Sequence, residues 1–311
     1  MADRLSQVAG HLSNTYSRGL LAGEVAIITG SGQGIGRSCA ILFAKEGAKV
    51  VVSDLDVKKA EAVVEEIKAA GGDAIAVGGD VSADDFPQRI LEATIKKYGK
   101  LNHIVNNAGF TFDRMFHTTP DDAFDIIMKV HVRAPFRLIR AAAPYMRIKV
   151  CVISLPLVVN LLMFHHMEGN TENRSVTNVS STSGLHGNIG QANYAAAKAA
   201  VLSLTKTLCK EWGAFGVRAN TVAFGHITTR LTLAKEDGAT IEIDGKKVTL
   251  GIPGAQSAKA PAGPAASAFP HIPLARAGTP DDAAGSVLFL ASPLASFVSG
   301  HTLEVTGGQG I

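Results

Sequence analysis

Neither cysteine nor charge of one sign is plentiful in this sequence of 311 residues. Thirty Lys and Arg residues stand against 27 Asp and Glu residues, so the formal net charge is only +3. Because no dense basic run accompanies this small excess, we predict no nucleic-acid partner. Cys39, Cys151 and Cys209 lack CxxC or metal-ligand spacing. They predict buried free thiols, a reducing compartment and no metal site.

The first 22 residues lack the apolar core of a secretory signal. Leu5, Val8 and Leu12 fall on one helical face, as they would in a short docking helix or a mitochondrial presequence. Asp3 and the brevity of the pattern argue against the presequence. We predict a flexible leader over residues 1–22 and a cytoplasmic protein, with a mitochondrial location as the alternative.

Apolar β-branched segments alternate with helical patterns over the rest of the chain. Strands are predicted in the sequences EVAIITG, AKVVVSDLD, AIAVGGDVS, LNHIVNNAG, SVTNVSS, VRANTVAFG and HTLEVTGG. Helices are predicted at 34–46, 57–70, 84–98, 121–146 with a bend at Pro135, 194–212 and 281–290. This alternation predicts one doubly wound (Rossmann) α/β domain over 23–311, with a parallel sheet of about seven strands. Ligands of such sheets bind beyond the carboxyl ends of the strands.

The turn TGSGQGIG directly follows the first predicted strand. Gly30 opens a tight turn, Gly34 leaves room for a pyrophosphate, and Gly36 lets the helix pack closely on the strand. The helix N-terminus then offers free N–H groups to the phosphates. The turn therefore predicts a dinucleotide site, which also includes Ser31, Gln33 and Ile35.

Asp54 ends the second predicted strand. A carboxylate in this position accepts hydrogen bonds from ribose hydroxyls and repels a 2′-phosphate. We therefore predict that NAD(H) is favoured over NADP(H).

Tyr194 and Lys198 lie four residues apart on a predicted helix, so their side chains share one face. A tyrosine normally titrates near pH 10, and a neighbouring ammonium lowers that pKa. Tyr194 is therefore a candidate general acid for carbonyl reduction, or base for the reverse reaction. Ser181, at the end of the fifth strand, is a candidate to hold the substrate oxygen.

Together, TGSGQGIG, NNAG, a serine thirteen residues before the tyrosine and YAAAK resemble the short-chain dehydrogenase/reductase family. The resemblance extends from about Gly23 to Gly308, except for residues 150–167 and much of the loop at 230–275. GNIGQANYAAAKAAV is most similar to 3-oxoacyl-[acyl-carrier-protein] reductases. Alcohol and 3-hydroxyacyl-CoA dehydrogenases share much of it and are the alternative.

The resemblance implies hydride transfer between a nicotinamide and a carbonyl or secondary alcohol, without a metal. It implies that Tyr194 donates the proton, that Lys198 holds the nicotinamide ribose, and that Ser181 steadies the carbonyl. The further cofactor contacts that it implies are Asp80, Val81, Asn107, Ile227 and Thr229. It also implies a homodimer or homotetramer that pairs through the helix at 121–146 and the Tyr194 helix.

Three residues depart from the family pattern. His131 stands where an asparagine is usual; that asparagine holds a proton-relay water through its main-chain carbonyl, so we expect a modified relay and count His131 among the catalytic candidates. Phe224 replaces a proline before Gly225, which predicts a shifted nicotinamide pocket. Gln33 replaces the arginine of NADPH-dependent acyl reductases and again favours NAD(H).

The segment at about 229–275 is predicted to be the substrate lid. IEIDGKKVTL predicts a hairpin around Asp244 and Gly245, and an Ala/Pro/Gly-rich stretch follows. A lid of this kind closes over an acyl chain or ring, but its residues do not identify the substrate.

The run from Val150 to Met167 is almost entirely apolar and close to a membrane span in length. We predict no membrane anchor, because both flanks return to one domain and because Pro156 and Asn160 lie at its centre. We interpret it as an insertion, either an extra surface helix or interface flap, or translated non-coding sequence. An insertion there raises a second hypothesis, a catalytically impaired protein that still binds the cofactor.

Overall fold

The computed structural model describes residues 19–148, 172–232, 240–243, 246–249 and 269–310. The predictions of a leader at the N-terminus and of an insertion at 150–167 concern residues outside these ranges, except for the last few residues of the leader. Cys39 is buried and Cys209 half-buried, and both are free thiols as predicted. No helix within the described ranges has the length and apolar character needed to cross a membrane.

Seven strands form a single parallel sheet, which confirms the predicted doubly wound α/β fold. Its order is β3-β2-β1-β4-β5-β6-β9, and β7 and β8 form a separate antiparallel pair. The strands are β1 (Val25–Thr29), β2 (Lys49–Ser53), β3 (Asp73–Ala76), β4 (His103–Asn106), β5 (Arg174–Ser181), β6 (Val217–Phe224), β7 (Thr240–Ile243), β8 (Lys246–Thr249) and β9 (Thr302–Val305). The α-helices are α1 (Gly34–Lys45), α2 (Val57–Ala69), α3 (Phe86–Tyr98), α4 (Asp121–Met128), α5 (Ala134–Met146), α6 (Thr182–His186), α7 (Ala192–Trp212) and α8 (Pro280–Ala291).

Both faces of the sheet are buried, which explains why its strands read as continuous apolar runs. Successive side chains of β1 point to opposite faces. Ala26 and Ile28 belong to one apolar cluster with side chains of α1, α2 and α8. Ile27 belongs to the other cluster, with side chains of α3, α5 and α7. The helices therefore form one layer on each side.

The chain reverses its direction of winding between β1 and β4, which are neighbours in the sheet. The loops after these two strands meet at this switch point. The Asn107 amide donates to the carbonyl oxygens of Thr29 and Gly30, both at 3.0 Å. A side chain on Gly30 would lie 2.7 Å from the Cα of Ala108. The crevice for a ligand opens above this junction.

The single helix predicted at 121–146 is instead divided by a π-helical turn over Lys129–Arg133. Pro135 is the physical reason, since it has no N–H with which to continue the α-helical ladder. The N–H of Ala134 donates to the carbonyl of Lys129, five residues back. The predicted bend at Pro135 thus takes the form of a widened turn just before it.

Two smaller differences concern the site. Helix α6 was not predicted, because its TSGLH sequence has no apolar period. Helix α7 begins at Ala192, two residues before the predicted start. The predicted hairpin strands are present, with Ile243 opposite Lys246; Asp244 and Gly245 between them lie outside the described residues.

Candidate active site

The glycine turn between β1 and α1 has the geometry that its sequence predicts. Gly30 and Gly34 adopt φ values of +64° and +56°, which favour glycine. A Cβ on Gly36 would lie 2.2 Å from the carbonyl oxygen of Gly30, so close packing requires glycine there. A Cβ added to Gly34 would have Thr229 Cγ2 as its nearest neighbour, at 3.7 Å. Open space is therefore kept at the position predicted to face a pyrophosphate.

A cavity of about 500 Å³ runs from this turn along the carboxyl ends of the strands. Its volume and its glycine cradle fit a nicotinamide dinucleotide. Nine of the predicted cofactor residues line it: Gly30, Gln33, Gly34, Ile35, Asp54, Asp80, Val81, Asn107 and Thr229. The sequence reasoning missed other lining residues, among them Asp56, Lys59, Phe110, Val130, Arg230 and Leu231.

The other five predicted cofactor residues lie off the cavity wall: Ser31, Gly36, Tyr194, Lys198 and Ile227. The buried Ser31 hydroxyl donates to the Ile28 carbonyl at 2.7 Å and accepts from the Ser53 N–H at 3.0 Å. It therefore ties the turn to β2. Ile227 is buried against Gly278. Both residues shape the cavity from behind its wall.

Backbone hydrogen bonds fix the carboxylate of Asp54 within the cavity. Its Oδ2 accepts from the N–H of Gly32 at 2.9 Å, and its Oδ1 accepts from the N–H of Asp56 at 3.0 Å. The side chain is almost fully buried. Each oxygen keeps a free lone pair, so Asp54 can still accept from a hydroxyl group.

Ser181, Tyr194 and Lys198 come together beside the other end of the cavity. Tyr194 packs with Phe110, Val130 and Leu231, which line the cavity. The Nζ of Lys198 lies 5.5 Å from the ring centre of Tyr194 and donates to the Val179 carbonyl at 2.7 Å. Ser181 ends β5 and shares a hydrogen bond with the Tyr194 side chain.

The predicted lowering of the Tyr194 pKa is wrong for this structure. Burial raises the pKa of Tyr194 to about 12, although the hydrogen bond from Ser181 opposes the rise. Burial also lowers the pKa of Lys198 to about 7. An ammonium with a lowered pKa that already donates to a backbone carbonyl stabilises a phenolate less than a fully charged, unbonded one would.

His131 lies on the π-helical turn and is buried against Tyr194. The two rings meet edge to face at 5.3 Å between centroids. The His131 Nε2 is 2.8 Å from the carbonyl oxygen of Phe110. Burial and the charge of Lys198 hold the pKa of His131 well below 6.5, so the imidazole is neutral. Gly109 is required beside it, because a Cβ there would lie 2.2 Å from His131 Cε1.

Comparisons with known proteins agree with this geometry. A family model described as short chain dehydrogenase matches residues 24–239, and one described as Enoyl-(Acyl carrier protein) reductase matches residues 253–309. The chain is 32% identical over 288 residues to the 3-oxoacyl-[acyl-carrier-protein] reductase FabG of Thermotoga maritima, covering 93% of this chain and 98% of that protein. It is 34% identical over 285 residues to FabG of Staphylococcus aureus, covering 91% and 97%. The chain belongs to the short-chain dehydrogenase family.

Membership in the short-chain dehydrogenase family confirms the predicted class, an oxidoreductase that acts on CH–OH or C=O groups with a nicotinamide cofactor. The 3-oxoacyl-[acyl-carrier-protein] reductase of Synechocystis is a further relative, 32% identical over 291 residues, covering 93% of this chain and 98% of that protein. The alignments span nearly the whole length of these relatives.

A polar chain that the sequence did not predict reaches Ser181 in this short-chain dehydrogenase. The Gln191 amide donates to the Asp113 carboxylate at 3.2 Å and accepts from the Ser183 hydroxyl at 2.8 Å. The Ser183 N–H donates to the Ser181 hydroxyl at 3.2 Å. Gln191 lies three residues before Tyr194 and was a detectable candidate, whereas only the fold brings Asp113 to it.

The π-helical turn leaves a main-chain carbonyl without its helical donor. Pro135 has no N–H to give to the carbonyl of His131, four residues back, or of Val130, five residues back. The N–H of Ala134 is already bonded to Lys129. Val130, on this turn, lines the cavity. The replacement of the usual asparagine by His131 leaves this main-chain feature in place.

Proposed function

We propose that this chain interconverts 3-oxoacyl and 3-hydroxyacyl thioesters with NAD(H), as its relatives named 3-oxoacyl-[acyl-carrier-protein] reductase indicate. The observation that carries the proposal is the grouping of Ser181, Tyr194 and Lys198 beside the end of a dinucleotide-sized cavity. The acyl group is carried as a small thioester or on a carrier protein.

The bound nicotinamide supplies or accepts the hydride. Ser181 donates a hydrogen bond to the substrate carbonyl oxygen, and the Tyr194 hydroxyl gives that oxygen its proton. Lys198 holds the nicotinamide ribose and, once its Nζ leaves the Val179 carbonyl, stabilises the phenolate that remains. A water held at a main-chain carbonyl of the π-helical turn would relay a proton from solvent to the Tyr194 phenolate.

We propose a preference for NAD(H) over NADP(H). Asp54 supports it because its carboxylate is fixed by two backbone N–H groups and cannot easily turn away from a 2′-phosphate. Gln33 supports it because its amide, on the cavity wall, has no charge of its own with which to attract a 2′-phosphate.

The quaternary state and the location of the protein remain predictions. Phe124 and Phe136 are 40% and 43% exposed on α4 and α5. These apolar side chains support pairing of two copies through the helix at 121–146, as a homodimer or within a homotetramer. The cytoplasm is the predicted compartment, with the mitochondrion as the alternative.

Tyr194→Phe tests the proposed chemistry. We expect NADH oxidation with a 3-oxoacyl thioester to fall by about 100-fold or more, since the proton donor is lost. NADH binding, measured by fluorescence titration, should be retained. Turnover equal to that of the wild type would contradict the role of Tyr194.

A substrate panel with NADH and NADPH in parallel separates the alternatives. Preference for a simple secondary alcohol or a 3-hydroxyacyl-CoA in the oxidative direction would favour the related dehydrogenase activity. If the wild type binds the cofactor but turns over no substrate, the result would favour the second hypothesis, in which the insertion at 150–167 impairs catalysis.

A further inference from the structure

Arg230 lies on the wall of the cavity that also contains the glycine turn. It follows Thr229, whose Cγ2 is the nearest atom to the open space at Gly34. The Nε of Arg230 is buried, and no described residue forms a hydrogen bond with it. The side chain therefore begins where the dinucleotide phosphates would lie, and a buried donor on it is left unsatisfied by the described chain.

Among the described residues, the basic side chains on the cavity wall are Lys59 and Arg230. Lys59 is engaged, because its Nζ lies 3.3 Å from the Gln33 Oε1 and 3.6 Å from the Asp56 carboxylate. Burial lowers the pKa of Arg230, and the charges of Asp54 and Asp56 partly oppose that shift; an arginine side chain keeps its charge in proteins. Arg230 is thus the cation available to an anionic ligand.

A guanidinium would add to the positive potential that the glycine turn offers to a dinucleotide pyrophosphate. The N-terminus of α1 contributes about half an elementary charge, and a pyrophosphate carries two negative charges. A guanidinium supplies a full charge and a fork of donors that suits phosphate oxygens.

We propose that Arg230 binds the pyrophosphate of the cofactor and closes it against the N-terminus of α1. This inference rests on the proposed use of a nicotinamide dinucleotide. The pyrophosphate is favoured over a 2′-phosphate because the ribose end of the cavity holds the fixed Asp54 carboxylate.

Arg230→Gln tests the contact, with Arg230→Lys as a variant that keeps the charge. Lys58→Gln is the matched control, since Lys58 is exposed on α2 next to Lys59. Dissociation constants of NADH and NADPH are measured by fluorescence titration, and that of ADP-ribose, which contains the pyrophosphate, by calorimetry. Melting temperatures are measured with and without each ligand.

We expect Arg230→Gln to weaken all three ligands by a similar factor of about 10 to 100, as for lost hydrogen bonds to a charged group. Arg230→Lys should lose less, and Lys58→Gln should bind as the wild type does. The melting temperature without ligand should be unchanged in Arg230→Gln, while its ligand-induced increase should shrink.

Unchanged affinities in Arg230→Gln would overturn the proposal, and so would a loss confined to NADPH, which would assign the guanidinium to the 2′-phosphate. If Arg230→Gln fails to fold, the same comparison in Arg230→Lys decides the matter. Failure of the wild type to bind any of the three ligands would instead refute the proposed function on which the inference rests.

Discussion

Burial lowers the pKa of Lys198. Its pKa falls from 10.5 to about 7 in the folded chain. Between these values the unfolded chain binds more protons at this residue than the folded chain does, so stability increases as the pH rises from 7. The gain is at most about 1.4 kcal/mol per pH unit.

Lys198→Met isolates this effect. We expect the free energy of unfolding of the wild type to rise between pH 7 and pH 9, and that of the variant to rise less. Denaturant unfolding at both pH values measures the difference. The same pH dependence in the two proteins would show that burial does not suppress the charge of Lys198.

Residue types and spacings identified Ser181, Tyr194 and Lys198, because one helical turn and one strand end have fixed geometry. The spacing could not reveal the raised Tyr194 pKa. That value depends on how much water and positive charge surround the phenol, and only the packed fold determines both.

At the scale of elements, the π-helical turn over Lys129–Arg133 matters most for the site. It presents His131 to Tyr194, and it precedes Pro135, which has no N–H to donate to the carbonyls four or five residues back. Periodicity over 121–146 predicted one helix, since a π-helical turn adds a single residue and scarcely disturbs the apolar pattern.

Pro135→Ala restores an N–H just after this turn. We expect that N–H to donate a hydrogen bond to the carbonyl of His131 or Val130, in competition with a bound water. We expect kcat to fall by about 10-fold while NADH affinity is kept, because the proposed water loses its acceptor. Pro144→Ala is the matched control, since Pro144 lies inside α5 and is exposed. Steady-state kinetics of the three proteins provide the measurement; equal kcat values in all of them would exclude the turn from proton transfer.

At the scale of the whole molecule, the described residues before and after 150–167 belong to the same domain. Helix α5 ends at Met146, and β5 begins at Arg174 inside the same sheet. Glu172 and Asn173 are anchored to the domain by Lys100 at 3.0 Å and by the Ala291 carbonyl at 2.8 Å. The premise that both flanks return to one domain is therefore correct.

Pairing of copies through α4 and α5 is tested by Phe136→Glu, which buries a charge if the predicted interface forms. We expect the variant to elute as a smaller species than the wild type in size-exclusion chromatography with light scattering. Phe116→Glu is the control, because Phe116 is 84% exposed and lies outside both helices. If all three proteins have the same mass, the predicted interface through α4 and α5 is wrong.

The sequence by itself determined the strand and helix order, the glycine turn and the identity of the reacting side chains, because these depend on local backbone geometry and on short spacings. Only the tertiary structure decided what depends on distant parts of the chain. It joins Asp113 to Ser181 through Gln191, brings Arg230 to the glycine turn, and sets the pKa of Lys198 and Tyr194. Desolvation and contacts between separate loops are properties of the packed molecule, and no spacing in the chain encodes their magnitude.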